Sequence, residues 1–517
     1  MKQKIWIISA LMYAMVILAC FGVLHLLKGM TENSSGSESA AEESMSDTEP
    51  ETDFDEEAET EEEMAETDPE EEDGDVPVER EKGYYGWKQE LLPVFPPVPE
   101  EVPYEPPRLV LATDLHYQST QTDDGGAAFR LFVERGDGKV VEYLPELLEA
   151  FMDQVIEEDP AALVLSGDIT MNGEKINHEE LAERLMRVQD AGIQVLIVPG
   201  NHDINNPHAA VYFGEEKEET ASVTPEEFYN IYHMYGYDQA VSRDEASLSY
   251  VYQLDERNRL LMLDTCQYEP QNMVEGQLKM ETLRWAEEQL IKAKEEGMNV
   301  LPIGHHNLLA QSRMYTTQCA MNNNGDVIEL FQNYELPLYL SGHLHVQRIR
   351  KHKAEPGAAD EAYGIMEIVT DALSIPPCQY ALLEWKRDGS MEYSTKAVDV
   401  SSWAARTGSQ DPDLLDFEGW SERYIQKLII DQIRGVVKNL GNDVEHSMAE
   451  AYASVYIDYY AGRRIDAKGI RSSKGYRWWE RNMPDSYLLK ELDAMIDDSD
   501  RDNNYMLLPE ANALAEE

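Results

Sequence analysis

Five short polar strings in this chain combine aspartate, asparagine and histidine at spacings that suit divalent metal ions. They are Thr113-Asp114-Leu115-His116, Ser166-Gly167-Asp168, Pro199-Gly200-Asn201-His202-Asp203, Gly304-His305-His306 and Ser341-Gly342-His343-Leu344-His345. Asp114 and His116 stand two apart, as do His343 and His345, so on an extended strand end both members of each pair face the same way. A donor set of carboxylate, amide and imidazole without thiolate suits manganese, iron or zinc rather than a structural cysteine-bound zinc. Taken singly, the strings read as turns: Pro-Gly and Asn-Asn-Pro are turn chemistry, and Gly-Asp commonly marks one. Taken together and in this order, they read as one site.

The elements that must carry them are visible as apolar runs. Arg108 to Ala112, Ala162 to Leu165, Val195 to Val198, Leu260 to Leu263, Val300 to Ile303 and Leu338 to Leu340 read as buried strands. All but the fourth, which ends in Asp264-Thr265-Cys266, run directly into one of the polar strings. Helical spacing separates them: Leu144, Leu147, Leu148, Phe151, Met152, Val155 and Ile156 recur on one face, and Leu181, Leu185 and Val188 line a second helix closed by Gly192. In open α/β sheets ligands collect beyond the carboxyl ends of strands, where every string sits. Gly136-Asp137-Gly138-Lys139 is too short for a phosphate-cradling loop with its fixed glycine spacing.

The strings resemble the motifs of the calcineurin-like metallophosphoesterases: D-x-H, G-D-x-x-x-x-G, G-N-H-D/E, G-H-x or H-H, and G-H-x-H. The likeness runs from about residue 107 to 400. Within that superfamily, Ser166-Gly-Asp-Ile-Thr-Met-Asn-Gly-Glu174, the P-G-N-H-D string, His305-His306 and the S-G-H-L-H string most resemble class III cyclic nucleotide phosphodiesterases, nearest a membrane-anchored Gram-positive type with a helical carboxyl-terminal domain. Gly304-His305-His306-Asn307-Leu308-Leu309 departs from the HHPP of better-known diesterases.

The resemblance implies an α/β sandwich of αββα type, built on two mixed sheets, plus a small all-α domain. It implies two metal ions (Mn, Fe or Zn), one held by Asp114, His116, Asp168 and His345, the other by Asp168, Asn201, His305 and His343. Asp168 would bridge them, His202 would reach the scissile phosphate, Asp203 would orient His202, and His306 and Asn172 would stand behind the ligands. Two such ions can generate a hydroxide and clamp both oxygens of an in-line displacement. Charge then accounts for the amide. Two divalent ions against Asp114, Asp168 and one hydroxide leave a single positive charge, which a phosphodiester monoanion cancels. An aspartate at 201 would make the empty site neutral. His202 can protonate the leaving oxygen. The implied substrate is a small phosphodiester, with a 3′,5′-cyclic nucleotide as candidate. A phosphomonoesterase on the same metals and a non-catalytic binding scaffold are the alternatives.

Composition bounds the rest. The net charge of −57 over 517 residues excludes the basic footprint of a DNA- or RNA-binding surface. Residues 31–82 carry 24 acidic side chains against Arg80 and Lys82, which describes a self-repelling, extended linker. Before it, Ile5 to Leu27 is long and apolar enough to span a bilayer, and Lys2 and Lys4 place the amino terminus inside and the catalytic part outside. The alternative is a lipoprotein anchored through Cys20 of Ile17-Leu18-Ala19-Cys20. The expected organisation is an anchor over 1–30, the acidic linker over 31–82, a proline-rich lead-in over 83–106, the catalytic domain over 107–402 and a helical domain over 415–505. In the last, Ile425, Leu428, Ile429 and Ile433 share a face, and Tyr452, Tyr456, Tyr459, Tyr460 and Trp478-Trp479 form a small core. It could cap the site, mediate self-association or contact the cell wall. Cys266, Cys319 and Cys378 have no framework spacing and read as small buried side chains.

Overall fold

The computed structural model describes residues 95–314, 317–352, 364–436 and 442–508. The expected membrane anchor and acidic linker lie outside the described residues, and among the described residues no helix is long and apolar enough to cross a membrane.

Three apolar runs, β1 (Arg108–Ala112), β2 (Ala162–Ser166) and β3 (Gln194–Val198), pair in parallel, as buried strands joined by helical crossovers do. The crossovers are the helices Leu144–Glu158 and Lys175–Asp190, each burying the leucine stripe legible in the sequence. A hairpin of β4 (Ala210–Phe213) and β5 (Glu216–Glu219) follows. Seven strands then build a second sheet: β6 (Ser242–Arg243), β7 (Tyr250–Gln253), β8 (Asn258–Leu263), β9 (Asn299–Gly304), β10 (Leu338–Ser341), β11 (Arg348–Lys351) and β12 (Met366–Val369). Finally β13 (Gln379–Trp385), β14 (Met391–Ala397) and β15 (Tyr505–Leu508) join the first sheet antiparallel. The strand orders are β15-β14-β13-β1-β2-β3 and β11-β12-β10-β9-β8-β7-β6, and both sheets are mixed.

Period-two alternation divides the second sheet between two cores. Leu260, Met262, Leu301, Ile303, Leu338 and Leu340 share a cluster with the first sheet and its two crossover helices. Their neighbours Leu261, Leu263, Val300 and Tyr339 pack instead with the helices Met280–Glu296 and Asn324–Asn333. The layers therefore run helix, sheet, sheet, helix, as expected.

The carboxyl-terminal region is helical, and its predicted core forms: Ile425, Ile429, Ile433, Tyr452, Tyr456, Tyr459, Tyr460 and Trp479 lie in one buried cluster. Two features were not legible. That cluster also takes in Leu344, Val346 and Val369 of the catalytic part. After the last helix, Tyr487–Asp498, the chain returns as β15, pairing Met391 with Leu508. Four residues are too few to show a period, which is why the strand escapes a sequence reading. Cys266, Cys319 and Cys378 are buried, as expected.

Candidate metal centre

The polar strings sit at the carboxyl ends of their strands, and five of their residues leave the extended backbone. Asp114 (φ 54), His116 (φ 46), Asp168 (φ 47), His343 (φ 71) and His345 (φ 58) all occupy the left-handed region, which non-glycine residues seldom adopt. The expectation that an extended strand end aligns Asp114 with His116, and His343 with His345, is corrected: β1 stops at Ala112 and β10 at Ser341, and tight left-handed turns aim the side chains. Each such residue costs of order 1–3 kcal/mol, a strain that collects at functional sites.

Backbone bonds lace the turns together. Asp114 N–H donates to the Gly167 carbonyl (3.0 Å), and His116 N–H to that of Asp168 (2.9 Å). The Asp114 Oδ2 accepts from the Thr113 hydroxyl (2.7 Å) and His343 N–H (3.0 Å). Asp168 Oδ1 accepts from His202 N–H at 2.7 Å. Two glycines make this crowding possible: a Cβ on Gly200 would run into Asp168, and one on Gly342 into Thr113.

The second oxygens face the centre. Asp114 Oδ1 is buried without a hydrogen-bond partner and lies 3.2 Å from His345 Nε2. Asp168 Oδ2 lies 3.3 Å from His305 Nε2 and 3.9 Å from His116 Nε2, between the two sides of the site. His116 Nε2 and His345 Nε2 approach to 3.2 Å, and His305 Nε2 is 3.2 Å from Asn201 Oδ1. Asp114, His116, Asp168 and His345 thus offer converging ligand atoms. His305, Asn201 and Asp168 form the adjoining group.

For His305 and His343, outer partners fix which ring nitrogen faces inward, as at metal-binding histidines generally. His305 Nδ1 meets the Ser166 carbonyl (2.9 Å), which leaves Nε2 for the centre. His343 Nε2 meets the Gln318 carbonyl (2.9 Å), which leaves Nδ1. His306 lies within ligand reach of His305 and His343, yet both its nitrogens are engaged, Nδ1 with the Thr265 hydroxyl (2.7 Å) and Nε2 with the Val274 carbonyl (2.9 Å). With both nitrogens engaged, it stands behind His305 and His343.

Electrostatics describe a site built around positive charge. Burial alone would raise both carboxyls, but His305 and His202 hold Asp168 well below its usual range, and His345 lowers Asp114. Burial lowers the His305 imidazole, yet Asp168 outweighs it and pushes His305 up to about 9. Burial keeps His116 neutral and carries His343 down to about 4. With no cation present, the carboxylates favour the protonated form of His305.

His202 is set apart. Its side chain retains 26% exposure, whereas those of His116 and His305 retain none. Its Nδ1 bonds the Met171 carbonyl (2.7 Å) and approaches Asn172 Oδ1 (3.2 Å), so Nε2 is directed away from them. A 480 Å³ cavity opens over the centre, lined by His202, Asp168, Asn201, His343 and His345 and walled by Leu131, Phe132, Met171, Val274 and Leu344.

Residues 107–347 match the model of the calcineurin-like phosphoesterases, and residues 399–502 match that of the C-terminal domain of cyclic nucleotide phosphodiesterase. The chain carries a calcineurin-like phosphoesterase domain followed by a cyclic nucleotide phosphodiesterase C-terminal domain. A protein of Ruthia magnifica subsp. Calyptogena magnifica named "Probable cyclic nucleotide phosphodiesterase" is 39% identical over 59 residues, 11% of this chain and 24% of that relative. Solved structures with a similar backbone include a dimetal phosphatase from Danio rerio (14% identity, TM-score 0.40, 57% of this chain and 97% of that one). A purple acid phosphatase from yellow lupin, Lupinus luteus, is another (13%, TM-score 0.37, 58% and 53%).

In this phosphoesterase Asp203 does not orient His202. Its buried carboxylate accepts from the N–H groups of Ile169 (3.2 Å), Thr170 (2.9 Å) and Gly200 (2.8 Å) and from the Thr170 hydroxyl (2.9 Å). It ties the turn bearing Asn201 to the turn bearing Asp168, and burial raises it to about 7. Met171 and Asn172 orient His202 instead. A second such tie went unread. Glu367, buried within β12, accepts from Leu308 N–H (2.8 Å), Leu309 N–H (2.6 Å), Gln311 (2.6 Å) and the Ser341 hydroxyl (2.6 Å), joining the loop after His306 to the strand before His343. A lone glutamate in the apolar run Ile365-Met366-Glu367-Ile368-Val369 was the available signal.

Proposed function

We propose that this phosphoesterase hydrolyses a small phosphodiester, with a 3′,5′-cyclic nucleotide as candidate, on two divalent ions. The observation that supports it is the gathering of Asp114, His116, His345 and His305 about Asp168, with Asn201 and His343 beside His305 and the Asp114 Oδ1 buried without a hydrogen bond, at the floor of an open cavity. A buried oxygen of this kind costs free energy unless something positive meets it. Asp114, His116, Asp168 and His345 would hold one ion and Asp168, Asn201, His305 and His343 the other. Oxygen and nitrogen donors without thiolate suit Mn, Fe or Zn. When bound, such ions activate water and neutralise the phosphate.

The chain's own residues supply the rest. Asn201 gives an oxygen without a charge, which favours a monoanionic diester over a dianionic monoester. His202, fixed through Nδ1, presents Nε2 to the cavity as the proton donor to the leaving oxygen. The apolar walls leave room for the substituents that a diester carries on both sides. With Mn²⁺, bis(p-nitrophenyl) phosphate should therefore exceed p-nitrophenyl phosphate in kcat/KM by about tenfold or more, the scale of one unbalanced charge contact near a protein surface. The reverse order would make the protein a phosphomonoesterase.

A further inference from the structure

The string Arg135-Gly136-Asp137-Gly138-Lys139 does not form a phosphate-cradling loop, yet the fold brings it to the metal centre. It follows the helix Ala127–Glu134, and Arg135, Gly136, Asp137 and Lys139 all line the cavity beside His202 and His345. Lys139 is 8% exposed, its ammonium donates to Asp137 Oδ2, and that oxygen lies 3.8 Å from His345 Nδ1. The loop is gripped from outside by the helix Phe417–Val436. The Tyr424 hydroxyl donates to the Lys139 carbonyl (3.1 Å), Gln432 reaches the Gly136 carbonyl (3.4 Å), and a Cβ on Gly138 (φ 102) would collide with Ile425.

A buried lysine is costly, and a buried ion pair usually adds little stability over an apolar pair of the same shape. Packing therefore does not explain why a largely buried lysine–aspartate pair sits in the wall of this cavity. Two of the three ammonium N–H groups remain once Asp137 has taken one. Resting on the phosphoesterase reading above, we infer that Lys139 is a further substrate-binding residue, its ammonium meeting a non-bridging phosphate oxygen, with Asp137 as the positioning residue that holds it there. The helical region, by clamping this loop, completes the substrate site of the catalytic domain.

The test is the affinity of the full-length, Mn²⁺-loaded protein for inorganic phosphate, by calorimetry, with bound metal measured in parallel. Lys139→Met, similar in volume but uncharged, should keep both ions and bind phosphate about 10- to 100-fold more weakly, the size of one charge-assisted hydrogen bond. Asp137→Asn keeps the ammonium and should bind phosphate far better than Lys139→Met does. Phosphate affinity of Lys139→Met within twofold of the unmodified protein would overturn the inference. So would loss of metal from Lys139→Met, or equal losses in the two variants, either of which would make the pair a structural unit. Absence of diester turnover by the unmodified protein would instead remove the proposed function and leave the phosphate comparison readable.

Discussion

Asp168→Ala should lose bound metal and turnover together. Asp168 Oδ2 lies between His305 at 3.3 Å and His116 at 3.9 Å, and Oδ1 holds the His202 N–H, so one truncation opens both halves of the site and frees the turn that carries Asn201 and His202. Removing an outer-shell partner typically costs roughly 10- to 100-fold in metal affinity or activity, and removing a shared ligand should exceed that. Elemental analysis of the purified variant, read beside its activity on bis(p-nitrophenyl) phosphate, checks the expectation. An inactive variant with two metals at full occupancy would refute the bridging role.

His202→Ala should have the next largest effect, and one that depends on the leaving group. The ring lies 4.0 Å from Asp168 Oδ2 through Nε2 and is fixed by Met171 through Nδ1, so its loss leaves the converging ligands in place. On a diester with an alkoxide leaving group, kcat should fall about 10²- to 10⁴-fold, while p-nitrophenolate, which departs without a proton, should be lost to a much smaller extent. The pH profile carries the same signature. Burial holds the imidazole below the ordinary histidine range despite Asp168, and bound cations push it the same way. A general acid works only while protonated. The kcat/KM of the unmodified protein on the alkoxide diester should therefore fall as pH rises through a pKa lower than that of a free histidine, and His202→Ala should lack that limb. Equal losses on both leaving groups would leave His202 as a phosphate contact only.

Much of the centre was legible because each strand is an apolar run that stops at a polar string, so Asp114, Asp168, Asn201, His305 and His343 could be placed at strand ends without knowing how the strands pair. The conformation that aims them was not legible. Left-handed backbone at Asp114, His116, Asp168, His343 and His345 is imposed by the interlocked turns, and nothing in those residue types announces it. Asp203 misled for a related reason. Next to His202 in sequence, it turns inward to four donors of the Asp168 and Asn201 turns. Asp137, Lys139 and Glu367 come from outside the motifs, and only tertiary packing brings them in. The helical region was read correctly as a small aromatic core, but the joining of that core to Leu344 and Val346, on either side of His345, depends on surfaces with no periodic signature.

The most direct test of a two-ion phosphodiesterase centre is a titration of the metal-free protein with Mn²⁺, following hydrolysis of bis(p-nitrophenyl) phosphate against bound metal. The proposed pair of ions sharing Asp168 predicts turnover that climbs until two equivalents are bound per chain and then stays level. Full turnover at one equivalent, or in protein stripped of metal, would contradict it.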